Sequence, residues 1–171
     1  RPTIVAGDST AQFYNDSLMR RVAMEMELPP NPPAPMVAAG GRLFEKRIAL
    51  VGALHRAGVR LLGGTDAPLA VGGPGKGLVG ELQLLVKAGL TPREALRTVT
   101  TEPGRYFATD SIGKVAAGHV ADLVVLDADP LADIGHVARI HTVIANGRPY
   151  DAAARQALVD GARRSARGGG R

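Results

Sequence analysis

The stretch Val59-Arg60-Leu61-Leu62-Gly63-Gly64-Thr65-Asp66-Ala67-Pro68 is an apolar run that stops abruptly in two glycines and a carboxylate. An unbroken apolar run is the pattern of a parallel strand covered on both faces, where an alternating one marks a half-exposed strand. Ala57-Gly58 ahead of it reads as a helix stop, so the expected order is helix, buried strand over Val59 to Leu62, then a loop that carries Asp66. Gly63 and Gly64 permit close backbone approach there. In barrels that alternate strand and helix, catalytic side chains stand where a strand's C-terminal end enters the next loop, which makes Asp66 a functional candidate. The same position suits an aspartate that caps the following turn, with Pro68 fixing its geometry, and spacing alone leaves both readings open.

Outward from this run the chain alternates helix signals with breakers. On the N-terminal side, Leu43 to Arg56 sets Leu43, Arg47, Leu50 and Leu54 on one line and Phe44, Ile48 and Val51 beside it, which predicts a helix with one buried stripe. Before it, Pro2 to Ala6 reads as a short strand, Gln12 to Leu28 as a helix packed through its methionines, and Pro29 to Pro35 as an excursion between elements. On the C-terminal side, Leu69 to Gly77 is a glycine-rich loop and Glu81 to Ala88 a helix stopped by Gly89. Thr91-Pro92-Arg93-Glu94 has an N-cap threonine, a proline at the first helical position and a glutamate three residues on, so Glu94 is expected to be a cap and not a catalytic acid. From Ser111 the pattern shortens. Ile112 to Val115, Asp122 to Asp127 and Ile140 to Ala145 read as strands, and Asn146-Gly147 as a tight hairpin before Arg148-Pro149-Tyr150. Asp127, Asp129 and Asp133 read as turn residues, because the glycine and terminal glutamate of an EF-hand are missing. Ala152 to Arg164 is a terminal helix and Ser165 to Arg171 a disordered Gly/Arg tail.

Composition narrows the chemistry. With 171 residues, 45% of them hydrophobic, the chain is globular in style and about the size of one ordinary domain. No run approaches the roughly 20 apolar residues of a membrane span, so no membrane partner is expected. There is no cysteine, which excludes disulfides, thiolate metal sites and cysteine nucleophiles. The net charge of +5 sits mostly in the last stretch, where Arg155, Arg163, Arg164, Arg167 and Arg171 face only Asp160. Aromatic residues are 4% of the chain, so no stacking platform accompanies the charge and no nucleic-acid partner is expected.

The ordered series GGTDAP from Gly63, ELQLLVKAGLTPREALRTVTTEPGRYF from Glu81 and GKVAAGHVADLVVLDADPLADI from Gly113 resembles the C-terminal part of the metal-dependent amidohydrolase superfamily, its imidazolonepropionase-like and prolidase-like members above all. The resemblance runs from about Pro2 to Tyr150. It implies an α/β fold: the C-terminal part of a TIM-type (β/α)8 barrel over residues 1–110, strands of an appended β-sandwich over 111–150, and a terminal helix with a basic tail over 151–171. In that family the aspartate after the eighth strand ligates the metal and handles the proton of the attacking water, and the matching residue is Asp66. Two positions depart from the relatives' pattern: Gly80 stands where many carry a histidine, and Glu102 where an asparagine commonly precedes Pro103.

The implied cofactor is a divalent metal, zinc by preference, and its remaining ligands are not visible in this chain. The four histidines, His55, His119, His136 and His141, include no His-x-His pair, and a metal needs three or more ligands in fixed geometry. His55 reads as a helix C-terminal histidine. The missing ligands are expected upstream of Arg1, and because the chain starts without methionine it reads as a C-terminal piece, inactive alone. The resemblance implies a hydrolase of carbon–nitrogen bonds acting on a small molecule, a cyclic amide, an amidine or a proline-containing dipeptide. A non-catalytic interaction module or decayed pseudoenzyme is the alternative. The location is cytoplasmic by default, with no N-terminal signal to assess, and a homo-oligomer is left open.

Overall fold

A computed structural model describes residues 33–65 and 76–168. Asp66, the strand expected at Pro2 to Ala6, the helix expected at Gln12 to Leu28 and most of the Leu69 to Gly77 loop lie outside the described residues. Five α-helices are described: α1 (Ala34–Arg56), α2 (Lys76–Lys87), α3 (Pro92–Val99), α4 (Thr101–Tyr106) and α5 (Ala152–Gly168). Strands β1 (Leu123–Leu126), β2 (Ile140–Ala145) and β3 (Arg148–Tyr150) form one antiparallel sheet in the order β1-β2-β3, with a 3-10 turn at Ile134–Ala138 between β1 and β2.

The core is built around α2 and α3. Leu82, Leu85, Ala88, Leu90, Ala95 and Ile134 are buried together, and Ile48, Val51, Leu61, Val86, Leu96, Val99 and Val137 pack against them. Ile134 and Val137 come from the 3-10 turn, so the β unit shares this core with the helices. Arg155 of α5 donates from Nη2 to the Ile140 and His141 carbonyls and ties the last helix to β2.

Helix ends follow local rules. Proline occupies the first turn of α1, where its missing N–H leaves no hydrogen bond unmade. Three helices end in one arrangement, in which the second residue past the cap donates back across the last turn and the first adopts positive φ. After α1, Val59 N–H donates to Leu54 and Gly58 N–H to His55, with Gly58 at φ +79°. After α2, Leu90 donates to Leu85 and Gly89 to Val86, with Gly89 at φ +110°. After α4, Thr109 donates to Gly104 and Ala108 to Arg105, but here the left-handed residue is Ala108 at φ +51°. The Asn146-Gly147 hairpin is also as expected: both residues have positive φ, as a two-residue primed turn requires, and Pro149 lies in the outer strand, β3.

Five expectations are corrected. Val59 to Leu62 joins no ladder: a parallel strand exists only through its neighbours, and no described residue supplies one. Val59 and Leu62 are each 46% exposed, while Leu61 alone reaches the core. Ile112 to Val115 is not a strand either, because Gly113 at φ +81° turns the chain against the Thr100 carbonyl, where a Cβ would collide. In α1 the buried line is Ile48, Val51 and Gly52, the last pressed against the Ala88 carbonyl, whereas Leu43, Leu50 and Leu54 are exposed. α2 begins at Lys76, inside the segment read as loop, and α5 runs on to Gly168, past the expected start of the tail.

Ala108 is the one left-handed helix stop of the three without glycine. The left-handed region costs an L-residue about 1–2 kcal/mol, and glycine returns part of that gain as lost chain entropy, so Ala108→Gly is expected to stabilise the fold by about 0.5–1 kcal/mol. Urea unfolding of the two proteins, with m unchanged, checks it.

Candidate active-site mount and adjoining cleft

The Val59 to Thr65 segment leaves α1 through the Gly58 stop and then meets α3. Leu61 enters the core, and two residues later Gly63 N–H donates to the Thr98 carbonyl at 3.1 Å. Thr98 lies in the last turn of α3, where carbonyls have no partner within the helix, so this bond fills an acceptor the helix leaves open. Thr98 is only 4% exposed, and its hydroxyl donates to the Ala95 carbonyl at 2.7 Å. A Cβ at position 63 would stand 2.7 Å from both Thr98 Oγ1 and Val99 Cγ1, so only glycine fits. At Gly64 a Cβ would meet nothing within 4 Å among the described residues, so the close approach belongs to Gly63 alone. Asp66 follows Gly63 by three residues, a reach of at most about 11 Å.

The other end of α3 is fixed by its cap. Glu94 Oε2 accepts from Thr91 N–H at 2.8 Å and from Thr91 Oγ1 at 2.7 Å, while Glu94 N–H donates to Thr91 Oγ1 at 3.3 Å. The other Glu94 oxygen faces His55 Nε2 at 3.5 Å, an ion pair when the imidazole is protonated. His55 thus has a carboxylate as its partner, in addition to its place in the last turn of α1. Glu102, only 12% exposed in its side chain, takes Arg97 at 3.3 Å and Arg105 at 3.1 Å. The residue that departs from the relatives' asparagine therefore bridges α3 and α4, a role that its departure alone did not reveal.

His55, Arg60, Glu94, Arg97 and Glu102 share a cleft of about 220 Å³. It opens beside Val59 to Leu61 and reaches Thr98, the acceptor of the Gly63 bond, while Gly63 itself does not line it. Its pairs, His55 with Glu94 and Arg97 with Glu102, close on one another and serve to hold α1, α3 and α4 together.

The histidines do not converge. His136 Nδ1 contacts the Asp129 carbonyl at 2.8 Å, His141 pairs with Asp127 at 2.9 Å, and His119 sits in the turn before β1. Among the described residues no three of histidine, aspartate and glutamate stand close enough to hold a metal ion. Asp129 and Asp133 instead accept from the N–H groups of Leu131 and Gly135, each two residues on, as turn aspartates do. As a hard oxygen donor Asp66 suits a divalent ion as one ligand of several, and the described residues supply no set to complete it.

With fold and mount in place, comparison with known proteins gives the class. The amidohydrolase family profile matches residues 18–150, and the chain belongs to the amidohydrolase family. Among solved structures it is similar to a protein of Bifidobacterium longum described as a candidate prolidase, at 32% identity and TM-score 0.55 over 67% of this chain and 30% of that one. It is also similar to a prolidase solved with N-methylphosphonate-L-proline, at 27% identity and TM-score 0.56 over 81% of this chain and 33% of that one. A third, molinate hydrolase, aligns at 28% identity and TM-score 0.52 over 58% of this chain and 25% of that one. The chain thus spans between a quarter and a third of the length of these structures. No curated protein matches it. The family carries a barrel of the TIM type, and the described residues form an α/β fragment whose strands make one antiparallel sheet. Among the described residues no helix is long and apolar enough to cross a membrane.

The cap gives a pH prediction. Hydrogen bonds from Thr91, side chain first and then backbone, hold the Glu94 carboxyl below its ordinary value, with His55 adding to the shift. A depressed folded pKa means that the contribution is whole above the unfolded carboxyl value, about 4.3, and is lost as pH falls through the folded value. Thermal melts of the wild type and Glu94→Gln are therefore expected to differ at pH 6 and to converge as the pH falls below that carboxyl value. A gap that stays constant contradicts the assignment.

Proposed function

We propose that this chain is the C-terminal portion of a metal-dependent hydrolase of carbon–nitrogen bonds in small molecules. The observation that carries the reading is the family match across residues 18–150, within which Asp66 follows the Gly63 contact directly. A proline-containing dipeptide is the first substrate to try, because prolidases are among the similar structures, one with a phosphonate-proline ligand. Cyclic amides and amidines come next. In this reading residues 1–110 belong to the barrel, 111–150 to an appended β-sandwich completed by strands from elsewhere in the protein, and 151–171 to the terminal helix and tail.

Asp66 has two tasks in the proposed reaction: its carboxylate is one ligand of a divalent metal, zinc by preference, and it takes the proton of the attacking water and passes it to the leaving nitrogen. When bound, the metal supplies a nucleophile at neutral pH by lowering the pKa of a water from about 15.7 to about 7. The other ligands are assigned to strands outside this chain, which leaves the chain inactive alone. Asparagine keeps the shape of aspartate but loses its charge and basicity. In the full-length enzyme Asp66→Asn is expected to lower turnover of proline dipeptides by at least about 10²-fold at unchanged circular dichroism. If Asp66 only caps a turn, asparagine serves as well and turnover stays at the wild-type level. Near-normal turnover in the folded variant removes Asp66 from the mechanism.

A further inference from the structure

We infer that Asn146-Gly147 is a modification site: the turn is poised to deamidate through a cyclic imide, is held from doing so in the folded protein by the Ala121 carbonyl and the Asp122 carboxylate, and on forming an isoaspartyl link releases β3 from β2. The inference is independent of the role proposed for Asp66.

The Asn146 side-chain amide and the Gly147 main-chain nitrogen are neighbours in the chain, and glycine has no Cβ to hinder their approach. Once the Gly147 nitrogen gives up its proton it attacks Asn146 Cγ: a carbon–nitrogen bond forms, the Cγ–Nδ2 bond breaks and ammonia leaves, which closes a cyclic imide. Water then opens the ring. Attack at Cγ leaves aspartate, and attack at the main-chain carbon leaves an isoaspartyl link, in which the backbone runs through Cβ and Cγ. Water is the only co-reactant, and nothing is oxidised or reduced. Both residues are exposed, and a Cβ at Gly147 would meet nothing within 4 Å among the described residues, so water and base reach the turn.

The fold guards the first step. Gly147 N–H donates to the Ala121 carbonyl at 3.0 Å, so the proton that must leave is engaged. Asn146 N–H donates to Asp122 Oδ1, which sets a carboxylate beside the turn, and a like charge there disfavours the nitrogen anion. Asn146 at φ +49° and Gly147 at φ +77° take the paired positive values of a two-residue primed turn, so these contacts and the turn geometry hold together. Reaction therefore needs the turn to open away from Ala121 and Asp122. The two products then act differently on the sheet. Asp-Gly suits the same turn, whereas an isoaspartyl link lengthens it and breaks the register that pairs Val143 with Tyr150, Ile144 with Pro149 and Ala145 with Arg148. β3 has only three residues and pairs with β2 alone among the described strands, so nothing else in the sheet holds it.

The test keeps the full-length protein in warm, mildly alkaline buffer, follows loss of the Asn146 amide by peptide mapping with mass spectrometry, and counts the isoaspartyl product with an isoaspartyl methyltransferase. In urea strong enough to unfold the chain, Asn146 is expected to deamidate at least about 10-fold faster than in the folded protein. Asp122→Ala, shown to be folded by circular dichroism, is expected to raise the folded-state rate by about 3- to 10-fold, because a hydrogen bond to a charged group and the charge itself are both lost. Should Asp122→Ala fail to fold, the wild type alone decides: across urea concentrations below the unfolding transition, the deamidation rate is expected to rise in step with hydrogen exchange at the Gly147 amide. The isoaspartyl form, once separated, is expected to lose exchange protection across β3. Equal rates in folded and unfolded protein overturn the inference, as does a folded Asp122→Ala that deamidates at the wild-type rate. Loss of the Asn146 amide while the Gly147 amide stays protected overturns the guard, and an isoaspartyl form with β3 still protected overturns the release.

Discussion

The backbone bond from Gly63 to Thr98 is the constraint on which the arrangement of the Val59 to Gly63 segment rests, since it ties a run that enters the core without regular structure to α3, a helix held at both ends. α3 can serve as an anchor because both its ends are specified. Its first turn is closed by the Thr91–Glu94 box, and its body is sealed by Ala95, which has no exposed surface. Its far end reaches α4 through the Arg97–Glu102–Arg105 group. Glycine at 63 then lets the chain lie flat against that end.

The same packing leaves surfaces that the described residues do not cover. The outer edges of β1 and β3 have no described strand beside them, and Val124 and Val125 of β1 are 56% and 44% exposed. Along α1, Leu43, Leu50 and Leu54 face away from the core that Ile48 and Val51 enter. Open strand edges and apolar lines on helices are features that a complete barrel and sandwich remove by closure. They fit the finding that the chain spans a quarter to a third of the length of similar structures.

What the sequence made legible was local. The capping box, the glycine stops at Gly58 and Gly89, the Asn146-Gly147 hairpin and the turn roles of Asp129 and Asp133 each depend on residues a few positions apart, and each is present. The family, too, was legible, because an ordered series of motifs constrains far more than any one of them. Features set by distant partners were not. Which line of α1 is buried depends on where Ala88 meets Gly52, and no periodicity within α1 tells the Leu43 line from the Ile48 line. The strands expected at Val59 and Ile112 are not formed among the described residues for the same reason: a ladder is a property of two segments, and Gly113 is bent by contact with Thr100, thirteen residues away. Two glycines at 63 and 64 were equivalent in sequence, and only the approach of α3 separates them. Glu102 was visible as an oddity, but its two arginine partners came from the fold.

In the proposed reading a divalent metal is bound through Asp66. The most direct measurement is anomalous scattering at the zinc edge from crystals of the full-length enzyme grown with zinc. An ion with an Asp66 carboxylate oxygen at about 2.0–2.2 Å is the expected result. A fully occupied zinc site whose ligands do not include Asp66 contradicts it.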